Sequence, residues 1–269
     1  MPTWYVVLLA VIQAITEFMP ISSSGHLGLV GFFFGLPYQG LTFDLALHLG
    51  TLFAIVAYFW RDLLLLARAT LALRSLGAAT PIQRMGIGIV LSTIPGAIVG
   101  ASMPDAFTES LRAPVLIAIN LIVFGILLGL ADLKGRKTRE AVSLTYRDAL
   151  LIGAAQALAL IPGTSRSGVT LTAGLALGMT RDAAARYSFL MAVPITALAC
   201  AHGAWSFVRA DEAFDARAMV LGIVVSALAG IAVIHFLLAI LRRLGTAPFV
   251  VYRLALGVVV LAMVALGAP

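Results

Sequence analysis

The sequence predicts an all-α polytopic membrane protein made of two inverted-topology repeats, each a re-entrant helical hairpin followed by three transmembrane helices. Three observations predict this class. The 269 residues are 61% hydrophobic and 11% charged, with a mean hydropathy of +1.05, whereas soluble domains carry about 25% charged residues. Long apolar runs alternate with short polar loops, as in helical membrane proteins. A polar motif in the first half of the chain also recurs in the second half.

The first element is a polar motif inside an apolar segment. Residues 13–26 read Gln-Ala-Ile-Thr-Glu-Phe-Met-Pro-Ile-Ser-Ser-Ser-Gly-His. Placing a charged residue at mid-membrane costs roughly 2.5–3.5 kcal/mol, so a functional role is the favoured interpretation of Glu17. Pro20 and Gly25 interrupt a helix, and irregular backbone at membrane depth is tolerated only where protein shields it from lipid. We therefore expect a re-entrant hairpin with this motif at its tip.

Three apolar runs follow the first hairpin and predict three spans. They extend from about residue 43 to 60, from 86 to 103 and from 114 to 133. The basic loop 134–147 then joins repeat one, about 1–135, to repeat two, about 147–269. We expect both repeats to form a single membrane domain.

The second half repeats the plan of the first. An offset of 143 residues pairs Gln13 with Gln156, and pairs Ser-Ser-Ser-Gly of residues 22–25 with Ser-Arg-Ser-Gly of 165–168. A second offset, of 134, pairs Gly-Ile-Val-Leu-Ser of 88–92 with Gly-Ile-Val-Val-Ser of 222–226. These matches indicate an internal duplication. Because each half crosses the membrane three times, the second half is expected to be inverted, as in secondary transporters.

The charges of the loops predict the orientation. Loops 61–85, 134–147 and 241–246 carry eleven Lys and Arg, whereas loops 104–113 and 209–217 carry three Arg and five acidic residues. By the positive-inside rule, the first group is cytoplasmic and both termini face outward. The same bias accounts for the net charge of +6, so no nucleic-acid partner is expected. A single cysteine cannot form an intrachain disulfide or a cysteine metal cluster.

The two hairpin tips are expected to meet near mid-membrane and to form an anion site. Each tip is followed by an apolar helix, whose first N–H groups and positive dipole end favour an anion such as phosphate. Arg166, which the 143-residue offset pairs with Ser23, adds a permanently charged fork. The tip residues expected to contact phosphate are Gln13, Ser22, Ser24, Gly25, Thr164, Ser165, Ser167 and Gly168.

Four residues on these tips suffice for phosphoryl hydrolysis. Glu17 is a candidate base or metal ligand, and Ser23 is a candidate nucleophile or hydrogen-bond donor. His26, three residues after Ser23, could activate Ser23 or water or protonate the leaving oxygen. Arg166 would stabilise the charge on the phosphoryl group. Each has a structural alternative, because serines cap helices, a histidine at a helix start can be structural, and Arg166 can simply pair with Glu17.

Four further polar residues of the spans have open roles. Asp44 and His48 could line an entrance to the site or form an interfacial pair. Arg186 begins the matching span of the second half. Arg253 lies in the last span beside Tyr252, and the sequence indicates no partner for it.

Residues 13–26 resemble the signature of bacterial undecaprenyl-diphosphatases, the bacitracin-resistance family. That signature is Glu or Gln, Gly, two variable residues, then Glu-Phe-Leu-Pro-Ile-Ser-Ser-Ser-Gly-His. Residues 162–168, Pro-Gly-Thr-Ser-Arg-Ser-Gly, are similar to the family's second motif, and the resemblance covers essentially the whole chain. Ala14 departs from the usual glycine. Gln13 is the non-ionisable option at its position, so a metal site with two carboxylates from positions 13 and 17 is not expected.

The resemblance implies hydrolysis of undecaprenyl diphosphate to undecaprenyl phosphate and inorganic phosphate, which recycles the lipid carrier of peptidoglycan synthesis. It also implies a bacterial inner-membrane location, a site open to the periplasmic side, and dependence on a divalent cation, Mg²⁺ or Ca²⁺. The family's functional residues would fall on Gln13, Glu17, Ser23, His26, Ser165 and Arg166.

Two other functions remain as alternatives. A transporter or flippase for a lipid phosphate would use the same anion-binding tips, whereas hydrolysis also requires Glu17 and His26 as reactive groups. A non-catalytic lipid-binding scaffold is disfavoured, because burying these groups is expensive. The expected partners are a polyprenyl diphosphate and membrane lipids. The sequence leaves open the nucleophile, the metal ligands, the preferred isoprenoid length, and whether the chain is a monomer or a homodimer.

Overall fold

The computed structural model describes residues 1–35, 39–72, 79–103, 111–210 and 215–267. Apart from one isolated β-bridge between Arg139 and Met179, every regular element in these ranges is helical. Parts of the predicted loops 61–85, 104–113 and 209–217 lie outside the described residues.

The described residues form eleven α-helices. Those of the first half are α1 Thr3–Phe18, α2 Ser23–Phe34, α3 Leu41–Tyr58, α4 Trp60–Leu71, α5 Pro81–Ser102 and α6 Pro114–Lys134. Those of the second half are α7 Tyr146–Ala157, α8 Arg166–Ala176, α9 Arg181–Ala210, α10 Ala216–Leu244 and α11 Ala247–Ala265. Two 3-10 turns, Ala141–Ser143 and Leu158–Leu160, flank α7.

Six of these helices are long and apolar enough to cross a membrane: α3, α5, α6, α9, α10 and α11. They confirm the apolar runs predicted between the polar loops. Large apolar side chains project outward from them, including Leu228, Phe236 and Val251, each more than 60% exposed. Outward apolar side chains on long helices fit a lipid surface. The protein is therefore a multi-pass membrane protein.

Local sequence explains where several helices begin and end. The Thr80 hydroxyl accepts a hydrogen bond from the Gln83 N–H, and Pro81 occupies the first turn of α5. Thr145 and Asp148 form the corresponding capping box at the start of α7. These side chains satisfy helix donors that have no partner within the helix.

The two halves pack against each other along most of their length. Helix α3 packs against α9 and α10, α1 packs against α10, α5 packs against α7 and α9, and α6 packs against α11. An aromatic contact between Phe18 and Phe189, with ring centroids 5.8 Å apart, lies in the shared core. The interrupted segments between α1 and α2 and between α7 and α8 are therefore enclosed by spans from both halves.

A partly buried ion pair links three elements at the end of the molecule where α10 stops and α11 starts. Arg181 donates two hydrogen bonds to the carboxylate of Asp132, at 2.6 and 3.0 Å. The Thr246 hydroxyl donates to the same carboxylate at 2.8 Å. This contact joins α6, α9 and the turn before α11.

Candidate active site

Two interrupted helices form the candidate site. Helix α1 ends at Phe18, two residues before Pro20, which has no backbone N–H to continue the helix. The chain turns through Ser22, whose φ is 78°, and enters α2 at Ser23. The Ser22 hydroxyl accepts a hydrogen bond from the Gly25 N–H at 3.3 Å. This bond satisfies one of the free donors at the start of α2.

We call residues 17–26 tip one and residues 161–168 tip two. Tip two has the same local geometry as tip one. Ser165 has a φ of 74°, and its hydroxyl accepts a hydrogen bond from the Gly168 N–H at 3.1 Å. A residue other than glycine at positive φ costs of order 1–3 kcal/mol and persists where surrounding contacts enforce it. The chain holds this conformation at Ser22 and Ser165, the two positions that the 143-residue offset relates.

The tips meet through an ion pair and a hydrogen bond. Arg166 donates from Nη2 to Glu17 Oε1 at 2.6 Å, and both side chains are mostly buried, at 13% and 7% exposed. The Ser167 hydroxyl donates to the backbone oxygen of Met19 at 3.1 Å. Meeting of the tips was predicted from the repeat, and the structure places their side chains in direct contact.

The other carboxylate oxygen of Glu17 collects three further groups. Oε2 accepts a hydrogen bond from the Ser23 hydroxyl at 2.6 Å and one from Gln13 Nε2 at 3.3 Å. His48 Nε2 lies 3.4 Å from the same oxygen. The carboxylate is thus held in one orientation, with a serine hydroxyl and an arginine on its two oxygens.

His48 is the site residue whose contact sequence reasoning missed. Its Nδ1 lies 2.7 Å from the backbone oxygen of Asp44. A carbonyl oxygen can only accept, so Nδ1 carries a proton; Nε2 faces a carboxylate, which also only accepts, so Nε2 donates to Glu17 when the ring is doubly protonated. The polar pair at positions 44 and 48, one helical turn apart in α3, was the available signal, although it did not identify Glu17 as the partner.

His26 is directed elsewhere. Its Nδ1 donates to the Ser22 backbone oxygen at 2.7 Å, and its Nε2 is 2.7 Å from the Tyr252 hydroxyl. The two rings are stacked, 5.6 Å apart at 12°. Within the described ranges, the hydrogen bonds of His26 therefore join tip one to α11 and do not reach Glu17 or Arg166.

A cavity of about 1060 Å³ lies against the ion pair. Its polar wall contains the side chains of Glu17, Ser23, Ser24, His48, Gln156, Ser165 and Arg166. Its apolar wall includes Leu41, Phe43, Leu160, Ile195 and Leu198. The cavity extends to Met1 and Asp215. Ligand pockets are mostly apolar with a few convergent polar groups. This one suits a ligand with an anionic head and an apolar body.

The remaining expected phosphate contacts are divided between the wall and the interior. Ser24 and Ser165 belong to the cavity wall. Ser22 and Gly25 instead maintain the turn of tip one, as Ser165 and Gly168 do in tip two, whereas the Ser167 hydroxyl joins the tips through the Met19 oxygen. Gln13 is fully buried and supports Glu17 from behind, whereas the fully buried Thr164 hydroxyl has no hydrogen-bond partner in the described structure.

The last span supplies Arg253, which is fully buried behind the tips. Its guanidinium donates to the backbone oxygens of Pro20 in tip one and of Gly163 in tip two, at 3.0 and 2.9 Å. The partners that the sequence did not indicate are thus main-chain carbonyls. No periodicity or motif in a sequence identifies acceptors of this kind.

These features define a multi-pass membrane protein with a buried acid–serine–arginine site, open to a cavity for an amphiphilic anion. The chain belongs to the family described as bacitracin resistance protein BacA, whose family model matches residues 6–259. The family resemblance of the two tip motifs is thereby confirmed over nearly the whole chain.

Curated relatives cover almost all of the chain. An undecaprenyl-diphosphatase of Nitrosococcus oceani is 46% identical over 253 residues, which are 94% of this chain and 96% of the relative. Undecaprenyl-diphosphatase 2 of Stutzerimonas stutzeri is 46% identical over 261 residues, 96% and 97% of the two chains. An undecaprenyl-diphosphatase of Chromohalobacter salexigens is 45% identical over 261 residues, 97% and 98% of the two chains.

Proposed function

We propose that this protein is an integral membrane hydrolase that converts undecaprenyl diphosphate into undecaprenyl phosphate and inorganic phosphate. The observation that carries the proposal is the contact of Glu17 with both Ser23 and Arg166, 2.6 Å in each case, at the wall of the cavity. A hydroxyl paired with a carboxylate and facing a guanidinium suits phosphoryl transfer. The relatives are named for this hydrolysis, which favours it over the transporter alternative.

In the proposed reaction, Arg166 binds the phosphoryl oxygens and offsets their charge. The Ser23 oxygen attacks the terminal phosphorus while its proton passes to Glu17. The bond to the bridging oxygen breaks, and undecaprenyl phosphate leaves with the electron pair and with the proton from Glu17. Glu17 then takes a proton from the water that attacks the phosphorus on Ser23, the bond between phosphorus and the serine oxygen breaks, and Glu17 returns the proton to that oxygen as inorganic phosphate leaves. Direct attack by water on the diphosphate is the alternative that the experiment below distinguishes.

The two histidines support this arrangement in the proposed mechanism. His48 fixes Glu17 from the side of α3, because its Nε2 faces the carboxylate at 3.4 Å. His26 fixes tip one against α11 through Ser22 and Tyr252. We therefore assign His26 to positioning and not to proton transfer.

A divalent cation, Mg²⁺ or Ca²⁺, fits this site through a single protein carboxylate. Mg²⁺ commonly uses one or two carboxylates, substrate phosphates and several waters. In the described part of the chain, no group of three His, Cys, Asp or Glu side chains is arranged to hold a metal ion. Glu17 together with the substrate phosphates is thus the ligand set we propose. When bound, the cation would supply positive charge to the diphosphate oxygens.

The architecture we propose is a duplicated half in opposite orientations with two re-entrant hairpins. Helices α2, α7 and α8 have 12, 12 and 11 residues, so each is at most about 18 Å long and cannot span a hydrocarbon core of about 30 Å. Part of the packing is related by exchange of the halves: α1 against α10 corresponds to α7 against α5, and α3 against α10 corresponds to α9 against α5. These two features support inverted repeats with tips inside the protein.

We propose that the cavity opens to the periplasmic side of the bacterial inner membrane. The cavity reaches Met1 and Asp215, at the starts of α1 and α10. The opposite end of α10 carries Arg242 and Arg243, and basic residues favour the cytoplasmic side. The undecaprenyl tail would contact the apolar wall and the surrounding lipid. The homodimer alternative stays a prediction.

The test is phosphate release from undecaprenyl diphosphate by detergent-purified protein. We expect turnover with Mg²⁺, its loss in EDTA, and its loss in Ser23→Ala. Ser102→Ala is the matched control, because among the described residues the Ser102 hydroxyl bonds only within its own helix, to the Ile98 oxygen. A phosphorylated Ser23 peptide after acid quenching would support serine attack, whereas substantial turnover by Ser23→Ala would support water. A folded wild type that binds the lipid but releases no phosphate would refute the proposed hydrolysis.

A further inference from the structure

Arg253 is a buried cation whose partners are all main-chain groups in the described ranges. The side chain is 0% exposed. Its acceptors are the backbone oxygens of Leu121 at 3.1 Å, Asn120 at 3.2 Å, Pro20 at 3.0 Å, Gly163 at 2.9 Å and Thr164 at 3.1 Å. One guanidinium thus contacts α6, tip one and tip two together.

The carbonyls of the tips need such a donor. Pro20, Gly163 and Thr164 lie between helices, where the regular helical hydrogen bonds stop. Inside a membrane an unsatisfied backbone oxygen costs several kcal/mol, because no water is available to replace the lost partner. A planar guanidinium with five N–H groups reaches carbonyls on several sides, whereas the compact ammonium of lysine does not.

The surrounding glycines leave room for this side chain. A Cβ added at Gly125 would lie 3.2 Å from Arg253 Cβ, and one added at Gly168 would lie 3.0 Å from its Nη1. Asn120 adds a parallel contact, because its side-chain amide donates to the Pro162 oxygen at 2.9 Å. The space between Gly125 and Gly168 therefore matches the arginine side chain. Both glycines belong to elements that carry or support the tips.

We infer that Arg253 is a positioning residue for the reaction: by binding carbonyls of both tips, it fixes the register in which Glu17 contacts Ser23 and Arg166. This inference rests on the proposed hydrolysis. Arg253 does not line the described cavity, so it acts through the tips and not on the substrate. Displacement of reacting groups by about 1 Å lowers rates by about 100-fold, which is the loss of kcat expected when the guanidinium is replaced.

The experiment compares Arg253→Lys with Arg181→Lys in detergent-purified protein. Both changes keep a positive charge and remove a hydrogen-bonding guanidinium fork, but Arg181 is partly exposed and binds Asp132, away from the tips. We expect Arg253→Lys to lower kcat by about 100-fold with little change in KM, and to speed hydrogen exchange in peptides 18–26 and 161–169. Arg181→Lys should lower thermal stability while keeping kcat and tip exchange near those of the wild type.

A second pair of variants applies if Arg253→Lys does not fold. Gly125→Ala crowds Arg253 from α6, whereas Gly129→Ala makes only ordinary contact with Val250, at 3.4 Å. Only the first should reduce kcat and increase exchange at the tips. Wild-type kcat and wild-type tip exchange in Arg253→Lys, or in Gly125→Ala, would overturn the inference. A wild type without phosphate release would refute the proposed hydrolysis instead, and tip exchange would still decide whether Arg253 holds the tips.

Discussion

Replacing Glu17 by glutamine should separate substrate binding from catalysis. The carboxylate contacts Arg166 and Ser23 at 2.6 Å each, so in the ligand-free site it occupies the arginine that a diphosphate requires. Glutamine has nearly the same shape and keeps one acceptor oxygen, but it cannot take the Ser23 proton. We expect Glu17→Gln to bind undecaprenyl diphosphate at least as tightly as the wild type and to hydrolyse it far more slowly.

The magnitudes follow from the burial of the pair. A positioned base contributes about 10²–10⁴ in rate, so kcat should fall by that factor. Leaving one partner of a buried ion pair alone costs about 3–5 kcal/mol, and Arg166 belongs at the lower end because it lines the cavity. About 3 kcal/mol in a chain of this size lowers Tm by roughly 6–12 °C. Bound diphosphate should therefore raise the Tm of Glu17→Gln by more than it raises the Tm of the wild type.

The assay combines phosphate release with thermal unfolding at increasing lipid concentration. A glutamine variant with near-normal kcat would refute the role of Glu17 as base. Lipid binding is compared in EDTA, which removes the cation proposed to lie between Glu17 and the phosphates; a variant that no longer binds the diphosphate there would refute the view that Glu17 competes with the substrate for Arg166.

Three further predictions concern the groups around the site and the loop between the repeats. His48→Gln can still donate to Glu17 and should keep most of kcat, whereas His48→Leu should lower it about 10- to 100-fold, since a hydrogen bond to a charged group contributes about 1.5–3 kcal/mol; equal rates in the two variants would contradict this. Gly163→Ala should lower both Tm and kcat, because residue 163 has a φ of +90° and an added Cβ would lie 2.6 Å from a backbone oxygen. Gly40→Ala is the control for the backbone angle alone, because residue 40 has a φ of +88° and no atom of the described residues lies within 4 Å of an added Cβ. Burial raises the pKa of Asp148, but hydrogen bonds from Arg139 and from Thr145, three residues earlier, lower it more, so the net pKa lies below the ordinary value of an aspartate. Its folded pKa is depressed, so its stabilising contribution is present above the unfolded pKa and is lost as pH falls through the folded value; Tm should therefore decrease below about pH 4, and less so in Asp148→Asn.

The spans and the tip motifs could be predicted because their signals are local. Apolar runs of about 20 residues and interrupted polar segments are visible in the sequence without knowledge of contacts. The repeat offset also paired Ser23 with Arg166 and led to the expectation that the two tips meet. The two offsets differ by nine residues, and the structure offers a reason: the first half contains the additional helix α4 between its first two spans.

The partners of His48, His26 and Arg253 could not be predicted because they depend on packing between distant segments. His26 shares a helix with Ser23, yet its ring bonds back to Ser22 and across to Tyr252, 226 residues away in the chain. Arg253 binds backbone oxygens, which every residue has, so residue type gave no information about its acceptors. Sequence spacing limited which residues could share a face and did not decide which neighbour each would meet.

The matching tips also have a consequence for how such a site could arise. Ser22 and Ser165 share the same unusual backbone angle, yet the next residue is a hydroxyl donor in one tip and a guanidinium in the other. Two identical half-length chains related by a twofold axis would face serine with serine or arginine with arginine, because an isologous contact repeats the same residue on both sides. If the two halves arose by the proposed duplication, joining both copies in one chain would lift that restriction and allow the two positions to diverge into a serine and an arginine that both contact Glu17.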